Sequence, residues 1–459
     1  MKILILAANF IQTPYPVYPL GAGAVTRLCR EAGHDTSFLD LLSDSSFGEY
    51  NPERLHSRLL EFQPDAVGIS IRNLESADSS NADESWSLDL VRRLVSDIKA
   101  ACKVPVFLGG AGFSLMPDTV LKHTGADYGL PGEGEESLPK FLAELASGSA
   151  LPGLQVRPAP CGLKHSNAYS PGLVKAYTGQ GGLIGVQTKR GCPFKCLYCS
   201  YPLLEGRQLR LRPTDDVMAD LEQISSMSEG VPHIAFADAV FNDPAGHFRN
   251  ILAEIIKSGL KIKWTAFFQP AALEKGDFKL FTESGLSGLE FGTDASTDET
   301  LAGLQKPFNF ALVAKLQKEC AEANIPGAHY IIFGGPGETA ETVEKGIENI
   351  KALPGCVVFI SCGLSIYPHT PLYDLAVSEG VIEKGAEILK PLFYFSPHLN
   401  PGTLDTRLKA AFRGSPDRLY PPNVSIERTQ VLRRMGFKGI LWDTLIGLKK
   451  RRPRSAASV

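Results

Sequence analysis

Cys192, Cys196 and Cys199 stand in the stretch GCPFKCLYCS with the spacing Cys-x3-Cys-x2-Cys, and Tyr198 directly precedes the last of them. Three thiols this close cannot all pair as disulfides. As thiolates they can converge on one side of a loop and bind iron, because thiolate is the ligand that iron–sulfur clusters take. A [4Fe–4S] cluster has four irons, so three local cysteines leave one iron open to a substrate or cosubstrate. A zinc knuckle, or three unrelated core thiols, is the other reading of the spacing. Zinc usually takes a fourth nearby Cys or His, and this loop has none.

A second set of residues sits at the ends of apolar runs. Asp238 closes HIAFAD, Asp294 closes LEFGTD, and Gly334, Gly335, Pro336 and Gly337 follow AHYIIF. In the first third of the chain, Arg72 and Asn73 follow GISI, Gly109 and Gly110 follow VFL, and Gly132 and Gly134 follow ADYGLP. Each has a plain alternative. Aspartates cap turns, glycines allow tight ones, and Arg72 is suited to a surface ion pair.

The runs that place these residues alternate strand with helix. KILILAA, TSFLDLL, PDAVGISI, VPVFLGGAG and ADYGLPGEGE read as strands, with PERLHSRLLEF, LDLVRRLVSDIKA, MPDTVLKHTG and ESLPKFLAELA as helices between them. That order predicts a doubly wound, Rossmann-like α/β sheet over residues 1–150, binding its ligand beyond the carboxyl ends of its strands. A dinucleotide site would need Gly-x-Gly-x-x-Gly after the first strand, where NFIQTPYP stands instead. Residues 151–182 are rich in Pro, Gly and Ser and read as a linker. From 183 to 390 six strand–helix units follow, and the cysteine loop leaves the end of the first, GLIGVQTKR. Repeated units of this kind place their chemistry at the strands' C-terminal ends. Residues 391–459 form a C-terminal extension. Its PLFYFSPHL suits a cover for the barrel mouth, its ERTQVLRRMGFKGILWDTLIGL an amphipathic helix, and its KKRRPRSAASV a solvated basic tail.

With 47 basic against 50 acidic residues and a net charge of -3, nothing favours nucleic acid as a partner. The opening MKILILAANF is too short for a signal segment, and no run reaches the ~18 apolar residues of a membrane span. The other six cysteines, Cys29, Cys102, Cys161, Cys320, Cys356 and Cys362, are scattered and read as buried thiols. Together these features predict a cytoplasmic protein in a reducing compartment.

The cysteine spacing, Tyr198 and the strand before them resemble the radical S-adenosylmethionine (SAM) superfamily. The resemblance implies a [4Fe–4S] cluster on Cys192, Cys196 and Cys199, SAM on the open iron, Tyr198 beside the adenine, and a partial (β/α)6 barrel. It places Asp238 at SAM's amino group, Asp294 at the ribose and carboxylate segment, and Gly334–Gly337 where backbone approaches adenine. YPHTPLY resembles a Pro-Gly-Thr-Pro element, with His369 in place of the glycine.

The first domain resembles the cobalamin (B12)-binding domain often fused upstream, through PLG at 19–21, EAGHD at 31–35, GISI at 68–71, FLGGAG at 107–112 and GEGEE at 132–136. The Asp-x-His-x-x-Gly motif that supplies a cobalt ligand in many such domains is missing. Cobalamin is therefore expected without a protein histidine, its lower face meeting Arg72 and Asn73, with Gly109, Gly110, Gly132 and Gly134 around it. Arginine does not readily deprotonate to ligate.

The combined resemblance is to class B radical SAM methyltransferases. It implies methylation of an unactivated carbon in a small-molecule, lipid or peptide substrate, by way of a 5′-deoxyadenosyl radical and methylcobalamin, with an electron donor such as flavodoxin or ferredoxin. Alternatives are a cobalamin-fused cyclase or rearrangement enzyme, a non-enzymatic cobalamin sensor, and methylthiolation of tRNA. The last lacks a second three-cysteine set and a basic tail domain.

Overall fold

A computed structural model describes residues 1–450 apart from 11, 13–14, 75–78, 80–86, 162–168, 272 and 389. The N-terminal sheet has five parallel strands, β1 (Lys2–Ala7), β2 (Asp35–Asp40), β3 (Ala66–Ser70), β4 (Val106–Gly109) and β5 (Tyr128–Gly129), in the order β2-β1-β3-β4-β5. β1 is central and nearly all buried, as a continuous apolar run must be when helices cover both faces. The chain runs outward in opposite directions from β1 and β3, so the crevice between their carboxyl ends is the topological switch point where such sheets bind ligands. Arg72 and Asn73 lie there, just after β3.

β4 and β5 are shorter than the sequence suggests. Gly110 and Gly132 take φ values of +96° and +87°, a left-handed backbone that breaks the ladder, and helices follow at Ala111–Leu115 and Gly134–Ala146. The expected linker is partly ordered. Leu154 bridges Gly129, and Pro171–Gly179 forms a helix whose Val174 and Tyr177 are buried.

The second domain begins with β6 (Ile184–Val186) and a hairpin of β7 (Lys189–Arg190) with β8 (Arg210–Leu211) that brackets the cysteine loop. Then come β9 (His233–Phe236), β10 (Lys263–Phe268), β11 (Leu286–Asp294), β12 (Gly327–Phe333) and β13 (Cys356–Cys362). A two-stranded ribbon, β14 (Leu364–Ser365) with β15 (Phe393–Tyr394), and β16 (Arg418–Leu419) complete it. The large sheet is parallel and open, in the order β16-β13-β12-β11-β10-β9-β6. β16 is a seventh strand that the six expected units do not include.

Side chains alternate along these strands. Trp264, Phe268, Leu289 and Phe291 face the outer helices. Ala328, Val357 and Phe359 instead face inward and meet Ile440, Trp442 and Leu445 from the C-terminal extension. The extension thus plugs the amino end of the barrel. Gly288 makes room for it, since a Cβ there would come within 2.5 Å of the Trp442 ring. The expected single amphipathic helix is two, Val424–Arg434 and Asp443–Lys450, because Gly436 and Gly439 turn the chain at φ +87° and +92°. The basic tail from residue 451 lies outside the described residues. Among the described residues no helix is long and apolar enough to cross a membrane.

Candidate active site

The carboxyl ends of the two sheets border one cavity of about 790 Å3. From the second domain Cys192, Cys196, Tyr198, Cys199, Asp238 and Asp294 line it; from the first, Arg72, Asn73, Gly109, Gly110, Gly132 and Gly134 do. Residues read as two separate sites thus share one space.

The cysteine loop is fixed at several points. Gly191 turns at φ +88°, and a Cβ there would lie 2.1 Å from the Gln208 carbonyl oxygen. Cys192 N–H donates to the Gly206 carbonyl at 3.1 Å and Leu197 N–H to that of Leu304 at 3.1 Å. Glu205 Oε2 accepts the Gly191 N–H at 3.0 Å. Among the described residues, the one Cys/His/Asp/Glu trio with ligand atoms within 4.8 Å of one another is Glu133, Glu135 and Cys161. The three cluster thiols are therefore spread wider than one tetrahedral zinc would hold them, about 3.8 Å apart for Zn–S bonds of about 2.3 Å. That spread suits a cluster. Burial raises the Cys192 thiol and pushes Cys199 up to about 12, so their thiolates need nearby positive charge.

Lys306 supplies one such charge, and sequence reasoning missed it. Its ammonium pairs with Asp294 and lies 5.5 Å from the centre of the Tyr198 ring. Burial works to lower its pKa, but Asp294 and the cysteines Cys196 and Cys199 outweigh burial, and the net shift is upward. The signal was one lysine in the otherwise uncharged GLQKPF. Asp294 ends β11 at φ +63°, beyond a register shift, which turns its carboxylate toward Tyr198.

Asp238 is placed on the cavity wall but is already engaged. Its Oδ1 accepts the N–H groups of Thr188 (2.7 Å) and Lys189 (3.2 Å), and its Oδ2 accepts from the Thr188 hydroxyl and, at 2.9 Å, from Lys189 Nζ. With Lys189 fully buried, this carboxylate braces the start of the cysteine loop. Gly334, Gly335, Pro336 and Gly337 are absent from the cavity lining. They sit one layer behind it: Gly335 faces Leu304 and Leu364, and the Pro336 carbonyl packs on Gly303. Glu338 accepts from Gly334 N–H, and Ser396, beyond β15, donates its N–H to the Gly334 carbonyl at 2.8 Å. His369 is exposed, at φ +65°, a conformation in which glycine is relaxed.

On the opposite wall Arg72 is enclosed by neighbours yet open toward the cavity. Burial lowers its pKa, while Tyr201 and Tyr15 oppose that shift. Among the described residues nothing hydrogen-bonds or ion-pairs with its guanidinium. Gly21 also lines this wall, with no atom within 4 Å of the Cβ it lacks. A broad wall of glycines, a cation with no partner among the described residues and no histidine among the described lining residues fit a corrin held without a histidine ligand.

A polar chain joins the two walls. Glu133, at the start of the helix Gly134–Ala146, pairs with Arg210 of β8 and, at 3.4 Å, with Arg190 of β7. Arg190 also meets Glu135 at 2.7 Å and Gln187 at 3.1 Å, and Gln187 reaches Glu205 at 3.1 Å. Cys161 donates its thiol to Glu133 at 3.2 Å. With two arginines on these acids, the trio is a latch between domains rather than a metal site.

The chain matches the sequence model of the B12 binding domain over residues 7–142 and that of the radical SAM superfamily over 186–350. It belongs to the cobalamin-binding radical SAM proteins. Tryptophan 2-C-methyltransferase of Streptomyces laurentii is 23% identical over 435 residues, covering 78% of this chain and 72% of that protein. Hopanoid C-3 methylase of Methylococcus capsulatus is 27% identical over 316 residues, covering 63% of this chain and 55% of that protein. In fold, the chain superposes on the radical SAM methyltransferase TsrM from Kitasatospora setae, solved with cobalamin and a [4Fe-4S] cluster bound. The TM-score is 0.87 at 21% identity, over 98% of both chains. As a cobalamin-binding radical SAM protein, this chain is an enzyme that uses a [4Fe–4S] cluster, SAM and cobalamin.

Proposed function

We propose that this enzyme moves the methyl group of SAM, by way of cobalamin, to a carbon of a small-molecule, lipid or peptide acceptor. The observation that carries the reading is the single cavity shared by the cluster thiols and the glycine-walled face beneath the first sheet. When bound, the cluster and cobalamin supply reductive cleavage of SAM and methyl carriage, and the protein supplies position and shelter.

Cys192, Cys196 and Cys199 hold three corners of the cluster and leave the fourth free. Lys306 offsets the negative charge of the neighbouring thiolates and, with Asp294, offers partners of opposite sign to the carboxylate and ammonium of SAM. Tyr198 walls the adenine side, and Gly334–Gly337 back that wall. Arg72 and Asn73 would lie against bound cobalamin, and a guanidinium, which does not deprotonate, would offer it no protein ligand. Trp442 closes the amino end of the barrel and leaves the domain junction as an entrance. An external flavodoxin- or ferredoxin-like protein delivers electrons.

The test is a product count after anaerobic reconstitution with iron, sulfide and hydroxocobalamin, with SAM and a strong reductant then added. S-adenosylhomocysteine with 5′-deoxyadenosine marks methylation at an sp3 carbon, and S-adenosylhomocysteine alone marks transfer without a radical. 5′-Deoxyadenosine alone would replace methyl transfer with rearrangement.

A further inference from the structure

The cavity continues from the cluster into the barrel, and its walls there differ sharply. β10 and β12 turn Phe267 and Tyr330 into it, with ring centroids 5.4 Å apart. Tyr330 in turn stacks on Phe359 of β13 at 5.1 Å, with planes 13° apart. The Tyr330 ring is held from below: its hydroxyl donates to Glu290 at 3.1 Å. Glu290 is fully buried and also accepts from Trp442 Nε1 at 3.2 Å and Thr265 at 3.3 Å. Three donors within the protein thus hold its carboxylate. Phe267 has no such cover. It is 43% exposed, although it points into a barrel plugged at its far end.

The strands between and beside β10 and β12 carry almost nothing at the same level. Ala237, Ala239 and Gly292 line the cavity there. From β10 to β15 the lining includes Phe267, Gln269, Tyr330, Ile332, Ser365 and Tyr367, and its charged side chains, Asp294 and Lys306, pair with each other. The other charged lining groups are Arg72, Glu133, Glu135, Arg190, Glu205 and Asp238. A bare aromatic face flanked by small residues, with the neighbouring charges Asp294 and Lys306 paired to each other, makes a flat slot that favours a ring over a branched or charged group.

Resting on the methyl-transfer reading, we propose that the acceptor enters this slot with an uncharged planar aromatic group, stacked against Phe267 and Tyr330. Phe267 sets the preference for a flat ring; Tyr330, tethered by Glu290, fixes the plane.

The test uses the reconstituted enzyme with cobalamin, cluster and SAM bound, and two neutral probes on one skeleton: 2-naphthol, which is flat, and decahydro-2-naphthol, which is saturated. Equilibrium dialysis under anaerobic conditions is expected to show the flat probe binding at least tenfold more tightly. Phe267→Leu keeps apolar volume and removes the ring; it is expected to weaken 2-naphthol about fivefold and leave decahydro-2-naphthol and SAM unchanged. Equal binding of the two probes, binding of neither, or loss of SAM affinity matching the loss of 2-naphthol in Phe267→Leu would overturn the proposal. The same samples, given a strong reductant and no acceptor, report S-adenosylhomocysteine. Its formation alongside failed discrimination sinks the aromatic slot and spares the transferase; its absence sinks the transferase itself.

Discussion

Tyr198 donates its hydroxyl to Asp294 Oδ2 at 2.5 Å. The two are far apart in sequence, and the bond ties the cysteine loop to the end of β11. Asp294 also neutralises Lys306, so the three side chains form one buried unit next to the cluster. Asp294→Asn leaves the buried lysine without its closest anion and is expected to destabilise the reconstituted protein by about 3 kcal/mol. Tyr198→Phe removes one hydrogen bond to a charged group and is expected to cost about 1.5 kcal/mol. Denaturant unfolding followed by tryptophan fluorescence checks both.

Arg190 joins the domains through Glu133 and Glu135. The helix that begins beside these acids also lines the cobalamin wall. Arg190→Gln is expected to weaken hydroxocobalamin binding about tenfold while iron content stays unchanged. A double-mutant cycle of Arg190→Gln with Glu135→Gln should return a coupling of about 1 kcal/mol. A coupling near zero would mean the latch does not act as a unit.

Burial raises the Glu338 carboxyl to about 7, against the pull of the Gly334 and Gly335 N–H groups. Between pH 4.5, its ordinary value, and about 7 the folded state keeps a proton that the unfolded chain has released. Stability therefore falls as pH rises through that window, by an amount on the order of 3 kcal/mol. Glu338→Gln carries no titrating group, so its stability should be flatter over the same range. Thermal melts at several pH values compare the two.

Trp442 is buried inside the barrel and bonded to Glu290. Trp442→Ala is expected to destabilise by about 3–5 kcal/mol through the cavity it leaves. Trp442→Phe keeps most of the volume and loses only the N–H, so its cost should be about 1–2 kcal/mol. Chemical denaturation of the two variants measures the difference.

The alternation of strands and helices was legible because it is written locally, in apolar runs and the glycines that end them. The cysteine loop was legible for the same reason. What the sequence hid depends on distant partners. β16 is two residues long and begins with Arg418, an unlikely strand residue when read alone. Its guanidinium is buried because it donates to the carbonyls of Ile350, Leu353 and Cys356. Lys306 drew no reading from the sequence, because only the fold brings it beside Tyr198, 108 residues earlier. Asp238 shows the converse: its place at a strand end suggested a ligand contact, yet Thr188 and Lys189 occupy both its oxygens. The C-terminal segment read as one helix because its apolar periodicity outweighed two glycines, and those glycines let Trp442 turn into the barrel.

The account rests on one cavity serving both the cluster and cobalamin, and isotope transfer tests it directly. Enzyme reconstituted to about four irons and one cobalamin per chain is mixed anaerobically with SAM carrying a deuterated methyl group and a strong reductant. The corrin is then recovered in the dark and weighed by mass spectrometry. The account predicts a deuterated methyl group on the corrin with a matching yield of S-adenosylhomocysteine, and loss of iron in the Cys192→Ala, Cys196→Ala and Cys199→Ala variants. Fully loaded enzyme that leaves the corrin unlabelled and the SAM intact would contradict it.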